Sequence, residues 1–405
     1  MSDNSKNFGL TRRDFVKTVG LAGLAVGAGA APSLAAAEPP STPAPAMPKR
    51  KLGKTGAEVS ILSLGCMFDT INNQLLLTQA LKYGVTHWDT AESYGEGLSE
   101  EGLGRFFTRN PGARKDIFLV TKLQPKGGNY TARLDQCLKR LKTDYVDLFF
   151  VHAISDISDV TPALRDWGAE MKKAGKIKLF GFSTHTNMEN CLAAAAKLDY
   201  IDAVMFTYNY RLMATPKMQA AVNACAQAGI GLIAMKTQGG GPVKTGSEAE
   251  LKLGGRFLEK GFTDKQAKLK AVWENPQIAS ICSQMPNITI LKANVAAALD
   301  RTRLAGDEVE ALRHYAQETC GDYCAGCASI CQGAVGGLVP VADIMRGLMY
   351  HREYGEPGWA REILHGLPGD LRQRLAEVDY APAEAVCPQG LAIGRLMAEA
   401  RELLG

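Results

Sequence analysis

Six polar side chains in this sequence each close a short apolar run: Asp89, Lys122, His152, Ser183, Asn209 and Lys236. Carboxylate, ammonium, imidazole, hydroxyl and amide groups together can move protons and orient a polarised oxygen, which is acid/base chemistry. A second set lies near the end of the chain. Cys324, Cys327 and Cys331 are closely spaced, with Cys320 just upstream and Cys387-Pro388 far downstream. Thiolates at such spacing, closed by a remote Cys-Pro, form a pattern for iron–sulfur ligation. Four thiolates also suit a structural zinc ion, and in an oxidising compartment they suit disulfides. Cys320-x3-Cys324-x2-Cys327 further spells a radical-SAM triad, although that triad belongs on an early loop of its own barrel. Taken singly, the polar residues have plainer readings: a strand-end cap, a solvated lysine, a satisfied core histidine.

Bringing those groups together requires a scaffold that gathers strand ends. Apolar, β-rich runs recur at Val59–Gly65, Val85–Asp89, Ile117–Lys122, Tyr145–His152, Ile177–Ser183, Ala203–Asn209, Gly231–Lys236 and Ile278–Ser283. Helical periodicity separates them over Gln74–Tyr83, Glu100–Thr108, Ala132–Leu141, Pro162–Ala174, Met188–Leu198, Pro216–Ala228 and Asp264–Trp273. Strands apolar on both faces and alternating with helices predict an α/β fold, a (β/α)8 TIM barrel over 49–304, with its active face at the strands' carboxyl ends. A doubly wound open sheet instead calls for a glycine-rich turn after the first strand. Ser63-Leu64-Gly65-Cys66-Met67 is not one. Beyond the barrel, 305–405 reads as a C-terminal, mainly helical domain. It opens on a charged helix, Asp307–Glu318, and shows helical periodicity over Val341–Tyr350, Trp359–Leu364 and Ala392–Leu404.

The 405 residues are 46% hydrophobic and 22% charged, enough to bury a large core. A net charge of only +4, without basic runs interleaved with aromatics, argues against a nucleic-acid partner. Thr11-Arg12-Arg13-Asp14-Phe15-Val16-Lys17 precedes a Gly/Ala-rich apolar stretch that starts at Val19. The stretch is shorter than the ~20 residues of a membrane span, so no stable span is expected. Residues 1–37 resemble a twin-arginine signal peptide cleaved after Ala37, which implies export of a folded chain and a periplasmic location. A Pro/Ala linker follows over 38–48. Cys66, Cys137, Cys191, Cys225 and Cys282 are scattered through apolar contexts, where a buried reduced thiol is the default.

The run Gly84-Val85-Thr86-His87-Trp88-Asp89-Thr90-Ala91-Glu92-Ser93-Tyr94-Gly95, with Ser99-Glu100-Glu101 and Leu103-Gly104, resembles the second-strand segment of the aldo-keto reductases. Arg50-Lys51-Leu52-Gly53-Lys54-Thr55-Gly56, Val120-Thr121-Lys122 and Leu148-Phe149-Phe150-Val151-His152 extend the resemblance. It implies a catalytic set of Asp89, Tyr94, Lys122 and His152 acting on a small-molecule carbonyl or alcohol. In that set Tyr94 is the general acid/base. An adjacent ammonium favours phenolate and lowers a tyrosine pKa, the role the resemblance gives Lys122. Asp89 holds Lys122, and His152 orients the substrate oxygen.

The same resemblance implies NADP(H), with Ser183, Thr184, Asn209 and Lys236 facing the nicotinamide. Here the pattern departs. Thr184 replaces an asparagine, Met205 a glutamine and Met235 the stacking tyrosine, and Gln284-Met285-Pro286-Asn287-Ile288-Thr289 has no arginine for a phosphate. Met235-Lys236 and the cysteines resemble the branch with a C-terminal 4Fe-4S ferredoxin-like module. That implies cluster ligands Cys324, Cys327, Cys331 and Cys387, across an insertion between the last two, and a redox partner protein. The expectation is an exported oxidoreductase whose 4Fe-4S cluster relays electrons. Two other readings stay open: an electron-transfer or sensor protein on a relic barrel, and a non-redox lyase or isomerase using Tyr94 and Lys122. The apolar loops present no carboxylate- or phosphate-binding cluster.

Overall fold

The computed structural model describes residues 46–125, 127–239, 261–318, 323–354, 357–387 and 389–404. The expected signal peptide, most of the linker, Cys320 and Pro388 lie outside the described residues.

A hairpin comes first, β1 (Lys49–Lys51) antiparallel to β2 (Glu58–Ser60). Then follow β3 (Leu62–Gly65), β4 (His87–Asp89), β5 (Phe118–Leu123), β6 (Val146–Val151), β7 (Ile177–Thr184), β8 (Ala203–Thr207), β9 (Gly231–Met235) and β10 (Ile278–Gln284). These last eight run parallel and close on themselves, β10 pairing with both β9 and β3. The fold is the expected (β/α)8 barrel. The single run expected over Val59–Gly65 is two strands, and Ser60 marks the break. Its hydroxyl donates to the Leu62 carbonyl at 2.8 Å and accepts from the Thr86 and His87 N–H groups at 3.2 and 3.1 Å. A side chain thus takes the place of a ladder partner, and the hairpin turns away under the barrel.

The alternation of β6 explains why its sequence is apolar throughout. Leu148 and Phe150 point into the barrel with Val120, Met205, Ile233 and Ala279, and Leu52 and Val59 of the hairpin close the bottom of that interior. Phe149 and Val151 point outward, into the layer packed under the helices. Each such side chain, buried from water, stabilises the fold by about 1.5–3 kcal/mol. The covering helices are α1 (Gln74–Lys82), α2 (Leu98–Arg109), α3 (Tyr130–Leu141), α4 (Pro162–Lys173), α5 (Met188–Ala195), α6 (Pro216–Gln227), α7 (Asp264–Trp273) and α8 (Ile288–Leu299). The periodicity reading does not mark α8. Its sequence ITILKANVAAAL is apolar around most of its circumference, so no stripe stands out.

α9 (Gly306–Glu318) lays Leu312, Tyr315 and Ala316 on Tyr210, Phe262, Ala267 and Ala271. α10 (Ala328–Ala334), α11 (Val341–Tyr354), α12 (Pro357–His365), α13 (Gly369–Arg374), α14 (Ala381–Ala385) and α15 (Ile393–Leu404) then enclose a second core. That core includes Val339, Ile344, Leu348, Leu364, Leu375, Leu391, Leu396 and Met397. Among the described residues, no helix is long and apolar enough to cross a membrane.

Candidate active site

Parallel register carries the polar strand ends to one face. Asp89 ends β4, Lys122 is the penultimate residue of β5, and His152 directly follows β6. Tyr94 stands on the turn between β4 and α2, where Gly95, Glu96 and Gly97 all take positive φ and fold the loop back over the barrel. Lys122 Nζ is 2.5 Å from Asp89 Oδ1, 2.8 Å from the Thr90 carbonyl and 3.5 Å from the Tyr94 hydroxyl. The Lys122–Asp89 pair is almost wholly buried, with side chains 1% and 2% exposed. The rings of Tyr94 and His152 meet edge to face, their centroids 5.9 Å apart. The four residues named from the sequence are therefore one contiguous group.

Its electrostatics differ from the sequence expectation. Burial, and next the Asp89 carboxylate, push the Tyr94 phenol well above its ordinary range. The ammonium of Lys122 is closer to Asp89 than to the phenol, so the lowering it was expected to produce does not prevail. Burial, then the charges of Lys122 and Arg346, hold His152 well below the usual imidazole value, as the neutral ring. Cys66 and Cys282, read from the sequence as scattered core thiols, both lie close enough to Asp89 to feel its charge. Burial raises both thiols.

The residues expected to face a nicotinamide lie on the same face, but all are engaged within the chain. Ser183 Oγ accepts from the Ala153 N–H at 2.9 Å, and Thr184 Oγ1 donates to the Thr186 carbonyl at 2.6 Å. Asn209 Nδ2 donates to the Lys236 carbonyl at 3.1 Å and to the Tyr323 hydroxyl at 3.0 Å, while its Oδ1 accepts from the Arg211 N–H. Lys236 has a left-handed backbone, φ 56°, and its Nζ stands 4.4 Å over the ring of Tyr350. Burial raises the Tyr350 phenol, but Lys236 and Arg346 outweigh it and leave that phenol below its ordinary value. Tyr323, Arg346 and Tyr350 all come from the C-terminal helical region. Nothing in their local sequence announces them, because their role follows from where α11 and the loop before α10 dock.

The cysteines form a second site. Cys324, Cys327, Cys331 and Cys387 line one cavity, about 330 Å³ counting its open mouth, together with Val341, Met345, Leu391 and Ile393. The nine described cysteines are all free. Among the described residues, no three or more His, Cys, Asp or Glu side chains are arranged to hold one metal ion. The four thiols thus border a space instead of converging on a point. Their loop is fastened to the barrel at Gly326, whose carbonyl accepts from the Asn187 N–H. A Cβ on Gly326 would lie 2.6 Å from the His185 carbonyl oxygen.

Known proteins resemble the barrel. The solved structure of aldo-keto reductase AKR11C1 from Bacillus halodurans, holo form, superposes with a TM-score of 0.56 at 24% identity, covering 66% of this chain and 96% of that one. The thermostable aldo-keto reductase Tm1743 gives 0.55 at 26% identity, covering 66% and 99%. Aldo-keto reductase yakc of Schizosaccharomyces pombe, a name that carries NADP(+), is 34% identical over 186 residues, 40% of this chain and 52% of the relative. The chain thus spans about half the length of that relative. The uncharacterized oxidoreductase YqkF of Bacillus subtilis is 27% identical, with 67% of this chain and 97% of YqkF aligned. The model of the aldo/keto reductase family matches residues 69–314. That match spans more than half of the chain, which therefore belongs to the aldo/keto reductase family of oxidoreductases.

Proposed function

We propose that this is an exported, periplasmic oxidoreductase that interconverts a small-molecule carbonyl and its alcohol, with a 4Fe-4S cluster exchanging electrons with a redox partner protein. The observation that carries the carbonyl chemistry is the buried Lys122, in contact with both Asp89 and the Tyr94 hydroxyl. Reduction adds a hydride equivalent to the carbonyl carbon and a proton to its oxygen. Tyr94 gives that proton. Its phenol, held protonated near neutrality by burial and Asp89, transfers it as alkoxide charge develops on the substrate. Lys122, kept in place by Asp89, then faces the phenolate and stabilises it. The neutral imidazole of His152, against the Tyr94 ring, orients the substrate oxygen.

A nicotinamide supplies the hydride when bound, and the name of the fission-yeast relative supports NADP(H). The residues present do not offer it a ready cradle. A nicotinamide has to take Asn209 from Tyr323.

The cysteine cavity fits an iron–sulfur group better. Burial pushes the thiols of Cys324, Cys327 and Cys331 up. Thiolates in such an apolar pocket need a partner that brings its own positive charge. Four thiols around a space suit a polynuclear cluster with Cys324, Cys327, Cys331 and Cys387 as ligands. When bound, the cluster supplies single electrons. Cys324 and Met345 line both this cavity and the one at the barrel mouth, which supports electron exchange between the two sites.

The test uses the full chain, isolated anaerobically and cluster-loaded, with NADPH or reduced methyl viologen against a panel of aldehydes. Turnover that falls about 100-fold or more in Tyr94→Phe is expected of a lost general acid. Unchanged turnover in that variant would restore the relic-barrel reading, and turnover with no electron donor the lyase or isomerase reading. Export is tested by cell fractionation with N-terminal sequencing. A periplasmic chain starting at Glu38 is expected; a cytoplasmic chain that keeps Arg12-Arg13 overturns export.

A further inference from the structure

A second cavity, about 450 Å³ counting its open mouth, lies where α11 meets the carboxyl face of the barrel. His185, Thr186, Thr207 and Lys236 line it from the barrel and Arg346 from α11, and among the described residues no carboxylate is in its wall. One terminal nitrogen of Arg346 reaches Asp343 at 3.2 Å. Its Nε, however, is buried with no hydrogen-bond partner, and so are Nδ1 of His185 and Nδ1 of His152. Buried polar groups are almost always paired, and a charged donor left over is the least tolerable kind. Two of the three, Arg346 Nε and His185 Nδ1, belong to side chains that line this cavity, and they mark a place completed by a ligand. The sign of its charge follows from the lining. Burial, then Arg346 and Lys236, keep His185 neutral, so the charged groups among the described lining, Arg346 and Lys236, are both cations. The sequence showed no such cluster, because Lys236 and Arg346 are 110 residues apart along the chain.

We propose that this cavity is the subsite for a carboxylate of the substrate, held by Arg346 with Lys236 opposite. A guanidinium matches a carboxylate with two parallel N–H bonds, and a second cation beside it adds attraction in a partly buried setting. The substrate class is then an oxo acid or hydroxy acid, its carboxylate at Arg346 and its reacting oxygen at Tyr94 and His152. This deepens the carbonyl-reduction reading and rests on it for the chemistry, though not for the binding.

The experiment pairs two aldehydes of equal chain length, 4-oxobutanoate and butanal, on the cluster-loaded full chain. The ratio of kcat/KM for 4-oxobutanoate over butanal should fall about tenfold or more in Arg346→Gln, the loss expected for a charged hydrogen bond. Arg346→Lys should restore part of the ratio, and Lys236→Gln should lower it independently. A ratio unchanged in both neutral variants overturns the subsite while the reductase reading stands. If neither aldehyde turns over, calorimetric titration with succinate decides. Binding lost in Arg346→Gln keeps the subsite and removes the reductase reading; no binding to the wild-type chain overturns the subsite. Loss of NADPH affinity in Arg346→Gln, with the aldehyde ratio unchanged, assigns the cations to a nucleotide phosphate and also overturns it.

Discussion

Buried histidines give the chain a pH dependence that can be assigned residue by residue. His87 lies inside the barrel wall, its Nδ1 3.1 Å from Ser280 Oγ. Burial, and then the charge of Lys122, depress its imidazole to about 3, whereas a solvated histidine titrates near ~6.5. Between those values the unfolded chain binds a proton that the folded chain does not. The stability this group confers is therefore complete above about pH 6.5 and is lost as the pH falls towards its folded value, by about 1.4 kcal/mol per unit. His152 is depressed as well and acts with the same sign. Urea midpoints measured at about pH 7 and about pH 5 should show this drop, and His87→Phe should lessen it. Equal midpoints in the wild-type chain would show that these rings are protonated in the fold.

The cysteine loop and the barrel touch at an element junction that tolerates only glycine. Gly326 has φ 78°, and a Cβ there would meet the His185 carbonyl oxygen at 2.6 Å. Beside it, Asn190 Nδ2 donates to Ser329 Oγ at 3.1 Å, tying α5 to α10. Gly326→Ala adds a left-handed backbone penalty to a clash with main chain that has nowhere to go. It should destabilise by about 2 kcal/mol or more. The expected signature is protease cleavage near 323–331 at a denaturant concentration that leaves the wild-type chain intact. The same substitution at Gly128, which has φ 59° but open space around its Cβ position, should cost about 1 kcal/mol. Equal losses at the two positions would show that the packing against His185 contributes nothing.

At the scale of the whole molecule, two cores meet at the barrel mouth, and the four cysteines lie along their boundary, with Cys327 packed against the barrel core. Cys331 is part of the second core, and Cys324 and Cys387 pack against it. Cys387→Ser should remove iron and acid-labile sulfide together and bleach the visible absorbance, with the circular dichroism of the barrel largely kept. Iron and sulfide at wild-type levels in that variant would remove Cys387 from the ligand set, and zinc in place of iron would end the electron-relay proposal. The barrel itself was legible in the sequence. A parallel strand buried on both faces has to be apolar throughout, and its polar residues are confined to its ends, so β4 to β10 and the places of Asp89, Lys122 and His152 follow from local pattern alone. Helix α8 did not follow, since a helix apolar on nearly all sides carries no stripe. The short-range spacing of Cys324, Cys327 and Cys331 was equally readable. What the tertiary structure alone decided is how the two halves meet. Arg346 and Tyr350 reach the barrel mouth because α11 docks there, and Tyr323 reaches it on the loop before α10. Burial there raises the phenol of Tyr94. Spacing along a chain records periodic burial. It carries no trace of which distant cation will share a cavity, because that depends on packing between surfaces that are remote in sequence.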